Sequence, residues 1–115
     1  ATAIRIGNPA SWEQAVRASE ESSGAIDCVS DDEILDAHRM LARTEGIFVE
    51  PASAAGIAGI VKSYARGGIP PESTVVVTVT GHGLKDPGIA IENAKASSVV
   101  VEPNIQSVLD AIGME

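Results

Sequence analysis

The segment Thr74–Thr80 reads Thr-Val-Val-Val-Thr-Val-Thr, so every one of its residues is β-branched. β-Branched side chains favour extended backbone, and an unbroken run of them is typical of a strand buried on both faces of a parallel sheet. Shorter apolar runs at 25–29, 47–49 and 98–102 predict three more strands. We therefore expect an α/β fold, a parallel sheet of about four strands with helices on both faces.

Helix signals separate these predicted strands. Ser11 with Gln14, and Ser30 with Glu33, have the spacing of a capping box, in which a hydroxyl and a side chain three residues later satisfy the free N–H groups of a helix start. Each helix should follow its box directly. The remaining helices are predicted to begin near Pro51, Pro87 and Asn104.

Glycines indicate where some of these helices end. Gly46 and Gly113 each follow an apolar stripe of helical period, and Gly24 follows the first predicted helix. Only glycine enters the left-handed backbone conformation of a helix C-terminus without strain. Gly46 and Gly113 are therefore expected to close the helices that precede them.

The composition limits the classes of function. The chain has 115 residues, 44% of them hydrophobic, which suits one globular domain with a real core. Its formal net charge is -8, with 16 acidic against 8 basic residues. This charge argues against a nucleic-acid partner and against an anionic membrane surface. No apolar stretch approaches the ~20 residues of a membrane span. We expect a cytoplasmic protein.

The single cysteine allows no internal disulfide. Cys28 lies in the apolar run 25–29, so we expect a buried, inert thiol. Cys28, His38 and His82 lack the spacing of zinc ligands, and no metal site is predicted.

Ligands of open parallel sheets bind at the carboxyl ends of the strands, which makes the turns at 50–51 and 80–83 the candidate site. Gly81 and Gly83 would let a ligand approach the backbone, and exposed N–H groups there can bind an anion. Glu50 has two open interpretations. It either accepts hydrogen bonds from a ligand or caps the following helix, whose dipole favours a carboxylate.

Other ionisable residues have simpler explanations. His82 has a side chain suited to proton transfer, but no serine or aspartate partner pattern accompanies it, so we expect a turn residue. Asp31, Asp32 and Glu33 begin a predicted helix and are expected to stabilise its N-terminus instead of binding a metal. Lys85 is expected on the surface.

Three blocks of the sequence resemble bacterial threonine synthases, in order and at plausible spacing. They are Ala1–Trp12 (ATAIRIGNPASW), Val49–Ala55 (VEPASAA) and Thr78–Pro87 (TVTGHGLKDP). The Thr-Gly-x-Gly-Leu-Lys-Asp part is the most specific of them, whereas Glu-Pro-x-x-Ala is shared with related dehydratases and synthases. The likeness extends to about residue 90, and the tail from Lys95 to Glu115 carries no familiar motif.

The resemblance implies a pyridoxal-phosphate enzyme of the tryptophan-synthase-β-like class, which converts O-phospho-L-homoserine and water to L-threonine and phosphate. Thr80 matches the threonine whose hydroxyl contacts the pyridine nitrogen of the cofactor. Ala3 matches a residue that packs against one face of the cofactor ring. Gly81, beside Thr80, and Glu50, whose turn lies near the cofactor in the wider class, complete the expected cofactor-binding residues.

The resemblance also implies missing parts. The Schiff-base lysine of the family lies in a Ser-x-Lys-Asp-type block, which Lys62, Lys85 and Lys95 do not match. The loop that binds the cofactor phosphate and the residues that hold the substrate phosphate have no counterpart either. We therefore expect residues 1–115 to be the carboxy-terminal part of a large domain, without a catalytic residue of its own and inactive without the remainder of the polypeptide. A homodimer is compatible with the resemblance.

Two alternatives stay open. A threonine or serine dehydratase belongs to the same class, but those enzymes more often place Ser or Cys at the position of Thr80. A self-contained small α/β binding or regulatory module is the alternative from a different class, because four strands and about five helices can close a small sheet.

Overall fold

A computed structural model of the chain describes residues 1–93 and 99–114. Within that part the backbone forms five α-helices and two short 3₁₀ helices. The α-helices are α1 (Trp12–Glu21), α2 (Asp31–Glu45), α3 (Pro51–Ala65), α4 (Pro87–Asn93) and α5 (Ile105–Ile112), and the 3₁₀ helices are Thr2–Ile4 and Gly83–Lys85. All five α-helices lie where the sequence predicts them.

The predicted parallel sheet is wrong for this structure, since no strand forms in the described residues. The four predicted segments form no ladder with one another, and Ser98, the first residue of the fourth, lies outside the described part. One isolated antiparallel bridge joins Val49 to His82. A strand exists only as a ladder of hydrogen bonds to a neighbour. β-Branched residues such as those of Thr74–Thr80 favour extended backbone but supply no such neighbour.

Packing of α2 against α3 makes the core. Small residues on α3 let the two helices approach closely, since Ala54 is 0% and Ala58 3% exposed. The buried apolar cluster consists of Ile34, Ala37, Leu41, Val49, Ala54 and Ala58. Val49 belongs to the segment between the two helices, so the core reaches directly to the predicted site. No helix in the described part of the chain is long and apolar enough to cross a membrane.

The ends of α2 agree with the sequence prediction. Ser30 Oγ accepts the N–H of Glu33 at 3.2 Å, and Glu33 Oε2 accepts the N–H of Ser30 at 2.6 Å, which is the complete capping box. Gly46 follows the helix with a φ of 67°, the left-handed conformation expected of it. These signals are local, and they suffice to fix both ends of the helix.

The other predicted ends give a mixed result. Asn104 caps α5, because its Oδ1 accepts the N–H of Ser107 at 2.9 Å, and Gly113 ends that helix with a φ of 70°. Ser11 occupies the position before α1, but its side chain makes no capping hydrogen bond, so the first capping box is wrong. Its ψ of 31° differs from the extended backbone of a capping residue.

The prediction of a buried Cys28 is also wrong, because the residue is exposed. The sequence predicts the run 25–29 as a buried strand of the sheet, and no sheet forms in the described residues. Its backbone still has a structural role, since the Cys28 carbonyl accepts a hydrogen bond from Lys62 Nζ at 3.0 Å.

Lys62 links the end of α3 to the start of α2. Its Nζ lies 3.1 Å from Glu33 Oε2, the oxygen that also accepts the Ser30 N–H. The Ser30 N–H first, and then the Lys62 ammonium, lower the pKa of the Glu33 carboxyl below its ordinary value of 4.5. Both partners stabilise the ionised carboxylate in the folded state.

This pKa shift predicts an acid-dependent loss of stability. Because the folded-state pKa of Glu33 is the lower one, its contribution is fully present above about pH 4.5 and disappears as the pH falls through the folded-state value. We expect the urea midpoints of the wild type and the Glu33→Gln variant to differ at pH 7 and to converge at pH 3. A constant difference across this range would contradict the assignment, since only an ionised Glu33 gains from Lys62.

Candidate functional site

The two turns that the sequence singles out lie against each other. The Glu50 N–H donates to the Gly81 carbonyl at 2.9 Å, and the Gly83 N–H donates to the Phe48 carbonyl at 3.2 Å. These two bonds flank the bridge between Val49 and His82. The segment that leads into α3 and the turn after Thr80 therefore form one hydrogen-bonded unit.

Ser53, in the first turn of α3, ties this unit together. Its Oγ accepts the N–H of Gly81 at 2.6 Å and the N–H of Thr80 at 3.2 Å. The same oxygen lies 3.0 Å from Thr80 Oγ1. Ser53 is only 4% exposed, whereas Thr80 is exposed. A buried serine thus holds the hydroxyl of an exposed threonine residue in place.

Glu50 lies beneath the turn with 6% of its surface exposed. Its Oε1 pairs with Lys85 Nζ at 3.3 Å, so the carboxylate is not left alone in the interior. Glu50 immediately precedes α3, but its side chain makes no capping hydrogen bond. Its carboxyl group instead fills the space beside the Gly81 Cα, where any larger residue would overlap it.

Four backbone N–H groups of the turn are already used inside the protein. Gly81 donates to Ser53, Gly83 donates to Phe48, and the N–H of Lys85 donates to the His82 carbonyl. The N–H of Leu84 donates to the imidazole Nδ1 of His82 at 3.1 Å, which agrees with a turn role for that histidine. These four groups are therefore not free to bind a phosphate or another anion.

Two aromatic contacts of Phe48 connect α2 to the turn. The Phe48 ring makes T-shaped contacts with the imidazoles of both His38 and His82, with ring centroids 5.9 Å apart in each pair. His38 is buried on α2, and its Nε2 donates to the Val49 carbonyl at 2.8 Å, since a carbonyl can only accept. The position of the turn thus depends on the packing of α2.

The structure joins three of the four predicted cofactor residues, namely Thr80, Gly81 and Glu50. Ala3 is exposed on the 3₁₀ helix Thr2–Ile4, which contacts α3, and it lies outside the hydrogen-bonded unit. Sequence reasoning missed Ser53. Its signal is a hydroxyl in the first turn of a helix that begins at one predicted turn, within reach of the other.

The lysines in the described part of the chain are held in ion pairs. Lys62 and Lys85 each form an ion pair, with Glu33 and Glu50, and Lys95 lies outside the described part of the chain. Residues 1–93 and 99–114 hold no cluster of His, Cys, Asp and Glu that suits a metal ion. The site offers a neutral hydroxyl on Thr80 and a buried Glu50 carboxylate that is paired with the exposed ammonium of Lys85, which suits contact with an organic ligand.

Comparison with known families identifies the class. Residues 1–81 match the family described as pyridoxal-phosphate dependent enzyme, and the chain belongs to that family. The matched residues include all four predicted cofactor residues, and Ser53 as well: Ala3, Glu50, Ser53, Thr80 and Gly81. Pyridoxal phosphate is accordingly the cofactor of the family.

The relatives within this class confirm the resemblance seen in the sequence. Threonine synthase of Bacillus sp. (strain ULM1) is 54% identical over 112 residues, which are 97% of this chain and 32% of that protein. Threonine synthases of Mycobacterium bovis and Synechocystis sp. are 51% and 48% identical over 99% and 98% of this chain, and 31% and 29% of their own lengths. The chain thus spans about a third of the curated relatives that it matches.

Proposed function

We propose that this chain is part of a threonine synthase, which converts O-phospho-L-homoserine and water to L-threonine and phosphate, and that it contributes one wall of the cofactor pocket. The observation that carries the proposal is the identity of 48–54% to threonine synthases over nearly the whole chain. The unit supports it, because buried Ser53 holds the exposed residue Thr80 by hydrogen bonds to its hydroxyl and its N–H.

The chemistry of these residues fits pyridoxal phosphate. Thr80 is an exposed residue, and the hydrogen-bonding partner of its Oγ1 in the described residues is Ser53. A hydroxyl carries one donor and two lone pairs, so Thr80 keeps the capacity to bond a ring nitrogen. When bound, the cofactor supplies an electron sink for the substrate. A neutral hydroxyl at the nitrogen does not enforce a charged ring as an aspartate would.

The other residues would shape the pocket. The methyl group of Ala3 would give apolar contact to one face of the ring and exclude water there. Glu50, held by Lys85, would fix the turn that presents Thr80, and Gly81 would leave room for the Glu50 carboxylate. None of these groups transfers a proton in the proposal, so the chemical step would depend on residues elsewhere.

The remaining machinery would come from the rest of the polypeptide. Lys62 and Lys85 are held in ion pairs, which argues against either as the lysine that carries the cofactor. Four N–H groups of the turn, those of Gly81, Gly83, Leu84 and Lys85, are satisfied internally, so we propose that another loop binds the cofactor phosphate. Residues 1–115 would then form the carboxy-terminal part of the large domain of a cytoplasmic enzyme, inactive alone and compatible with a homodimer.

The proposal is tested with the full-length protein that carries this sequence. Loaded with pyridoxal phosphate and given O-phospho-L-homoserine, it should release inorganic phosphate and L-threonine in equal amounts. Formation of 2-oxobutanoate from L-threonine, without phosphate release from O-phospho-L-homoserine, would assign a dehydratase instead. Absence of both reactions in a cofactor-loaded protein would refute the proposed activity.

Replacing Thr80 with valine tests the cofactor contact. Valine keeps the shape of threonine but removes the hydroxyl, so the cofactor absorbance should change and kcat/KM should fall about tenfold, the effect of one lost hydrogen bond of about 1.4 kcal/mol. Thr80→Ser keeps the hydroxyl and should retain most of the activity. Equal kinetics and spectra for wild type and Thr80→Val would remove the contact from the proposal.

A further inference from the structure

Ser53 determines which way the Thr80 hydroxyl can donate. Its oxygen accepts two N–H groups, that of Gly81 at 2.6 Å and that of Thr80 at 3.2 Å. A serine oxygen has two lone pairs, and both are then used. The remaining contact, 3.0 Å to Thr80 Oγ1, must use the one proton that Ser53 has left. Ser53 is therefore the donor in that bond, and Thr80 is the acceptor.

The contacts of Ser53 fix the direction of its hydrogen bond to Thr80. Ser53 is 4% exposed, and its own N–H donates to the Glu50 carbonyl at 3.0 Å, which fixes it in the first turn of α3. Rotating the Ser53 side chain about its Cα–Cβ bond would move Oγ away and leave the N–H of the buried Gly81 without its acceptor. An unsatisfied buried N–H is strongly unfavourable. The arrangement thus persists whether or not a ligand lies on Thr80.

The hydrogen bond from Ser53 determines which further partner the Thr80 hydroxyl can bond. With one lone pair taken by Ser53, the proton of Thr80 is left for another partner, and Thr80 Oγ1 makes no second hydrogen bond within residues 1–93 and 99–114. Accepting a hydrogen bond also makes a hydroxyl a better donor, because chained hydrogen bonds polarise one another. The preferred partner of Thr80 is therefore an atom with a lone pair and no proton.

We propose that Ser53 is a positioning residue for the cofactor, acting through Thr80. By donating to Thr80 Oγ1 it turns the threonine hydroxyl into an oriented donor, which favours an unprotonated ring nitrogen as the partner. A protonated ring nitrogen would instead donate to the remaining lone pair of Thr80. The Thr80 proton would then have only water as a hydrogen-bonding partner. This inference rests on the proposed contact between Thr80 and the cofactor, and it adds the residue that orients the contact.

The test is a double-mutant cycle in the full-length holoenzyme, with the cofactor labelled with ¹⁵N at the pyridine nitrogen. The readouts are the ¹⁵N chemical shift of the ring nitrogen, its dependence on pH, and the dissociation constant of the cofactor. The proteins are wild type, Ser53→Ala, Thr80→Val and the double variant. Ser53→Cys provides a second replacement of similar size whose thiol is a weak donor and a weak acceptor, so no cavity is made.

We expect Ser53→Ala and Ser53→Cys to move the ¹⁵N signal toward the protonated form and to weaken cofactor binding about tenfold, as for one lost hydrogen bond. In the Thr80→Val background the same changes at position 53 should have no effect on the signal. Coupling of this kind identifies residues that act through one another. A purely structural role would move the signal equally in both backgrounds.

Two outcomes would overturn the inference, and they are distinguishable. If the Ser53 variants shift the signal equally with and without the Thr80 hydroxyl, Ser53 does not act through Thr80, while the cofactor contact stands. If Thr80→Val alone leaves the signal of the wild type unchanged, the contact itself is absent and the inference fails with it. Phosphate release from O-phospho-L-homoserine, measured on the same wild-type protein, reports separately on the proposed activity.

Discussion

Replacing Gly83 with alanine should destabilise the protein by about 3 kcal/mol, the upper part of the usual cost of overfilling a packed site. Gly83 is buried, and a Cβ at this position would overlap the Phe48 ring, with the ring atoms Cδ1 and Cζ only 2.5 Å away. The ring cannot move aside freely, because it contacts the imidazoles of both His38 and His82. The strain would therefore pass into the turn itself.

Urea unfolding of the full-length protein measures this effect, and Gly88→Ala is its matched control. Gly88 lies five residues further along in α4, and a Cβ there would meet nothing within 4 Å. The control should change the free energy of unfolding by no more than about 0.5 kcal/mol. Similar midpoints for both variants would mean that Phe48 does not pack on Gly83, and that the turn is held by its hydrogen bonds alone.

The helices were predictable because their signals lie within a few residues of each end. The hydroxyl of Ser30 and the carboxylate of Glu33 satisfy N–H groups three residues apart, and Gly46 supplies the left-handed residue after α2. The same short-range logic holds for Asn104 and Gly113. It failed at Ser11, where backbone geometry, which the residue type alone does not determine, keeps the side chain from bonding.

The sheet was not predictable in the same way, because pairing depends on residues far apart in sequence. The β-branched run Thr74–Thr80 correctly marks a segment without helix, but a ladder needs a second segment in register. In the described residues the only such pairing is the bridge of Val49 to His82, and it is antiparallel. The wrong environment for Cys28 follows from the same error.

The site was predictable in part. The sequence predicts a site at the turns of Glu50 and Thr80, because the ends of neighbouring parallel strands lie together. The two turns do contact each other, although no sheet forms in the described residues. The role of Ser53 was missed because its contacts with Thr80 and Gly81 cross 27 and 28 residues of sequence. A serine in the first turn of a helix is ordinary. Ser53 differs from such a serine because it lies against the turn after Thr80 and accepts hydrogen bonds from it.

The core offers the second large effect, and it also tests whether the site depends on α2. Ile34→Ala should reduce the free energy of unfolding by about 3 kcal/mol, the usual loss when a buried isoleucine is cut to alanine. Ile34 is 3% exposed and belongs to the cluster that packs α2 against α3. The same helix carries His38, whose Nε2 donates to the Val49 carbonyl one residue before Glu50. Loosening α2 should therefore also weaken cofactor binding.

Met40→Ala on the same helix is the comparison that separates these causes. Met40 is 41% exposed, so its truncation removes a side chain of similar volume but little buried surface, and the loss should stay under about 1 kcal/mol. Chemical unfolding and cofactor titration of both variants, in the full-length protein, give the two quantities. If Ile34→Ala lowers stability but leaves cofactor affinity intact, the turn holds its shape without α2. If Met40→Ala costs as much as Ile34→Ala, another part of the polypeptide covers that face of α2, and the contact of α2 with α3 is not the main support of the site.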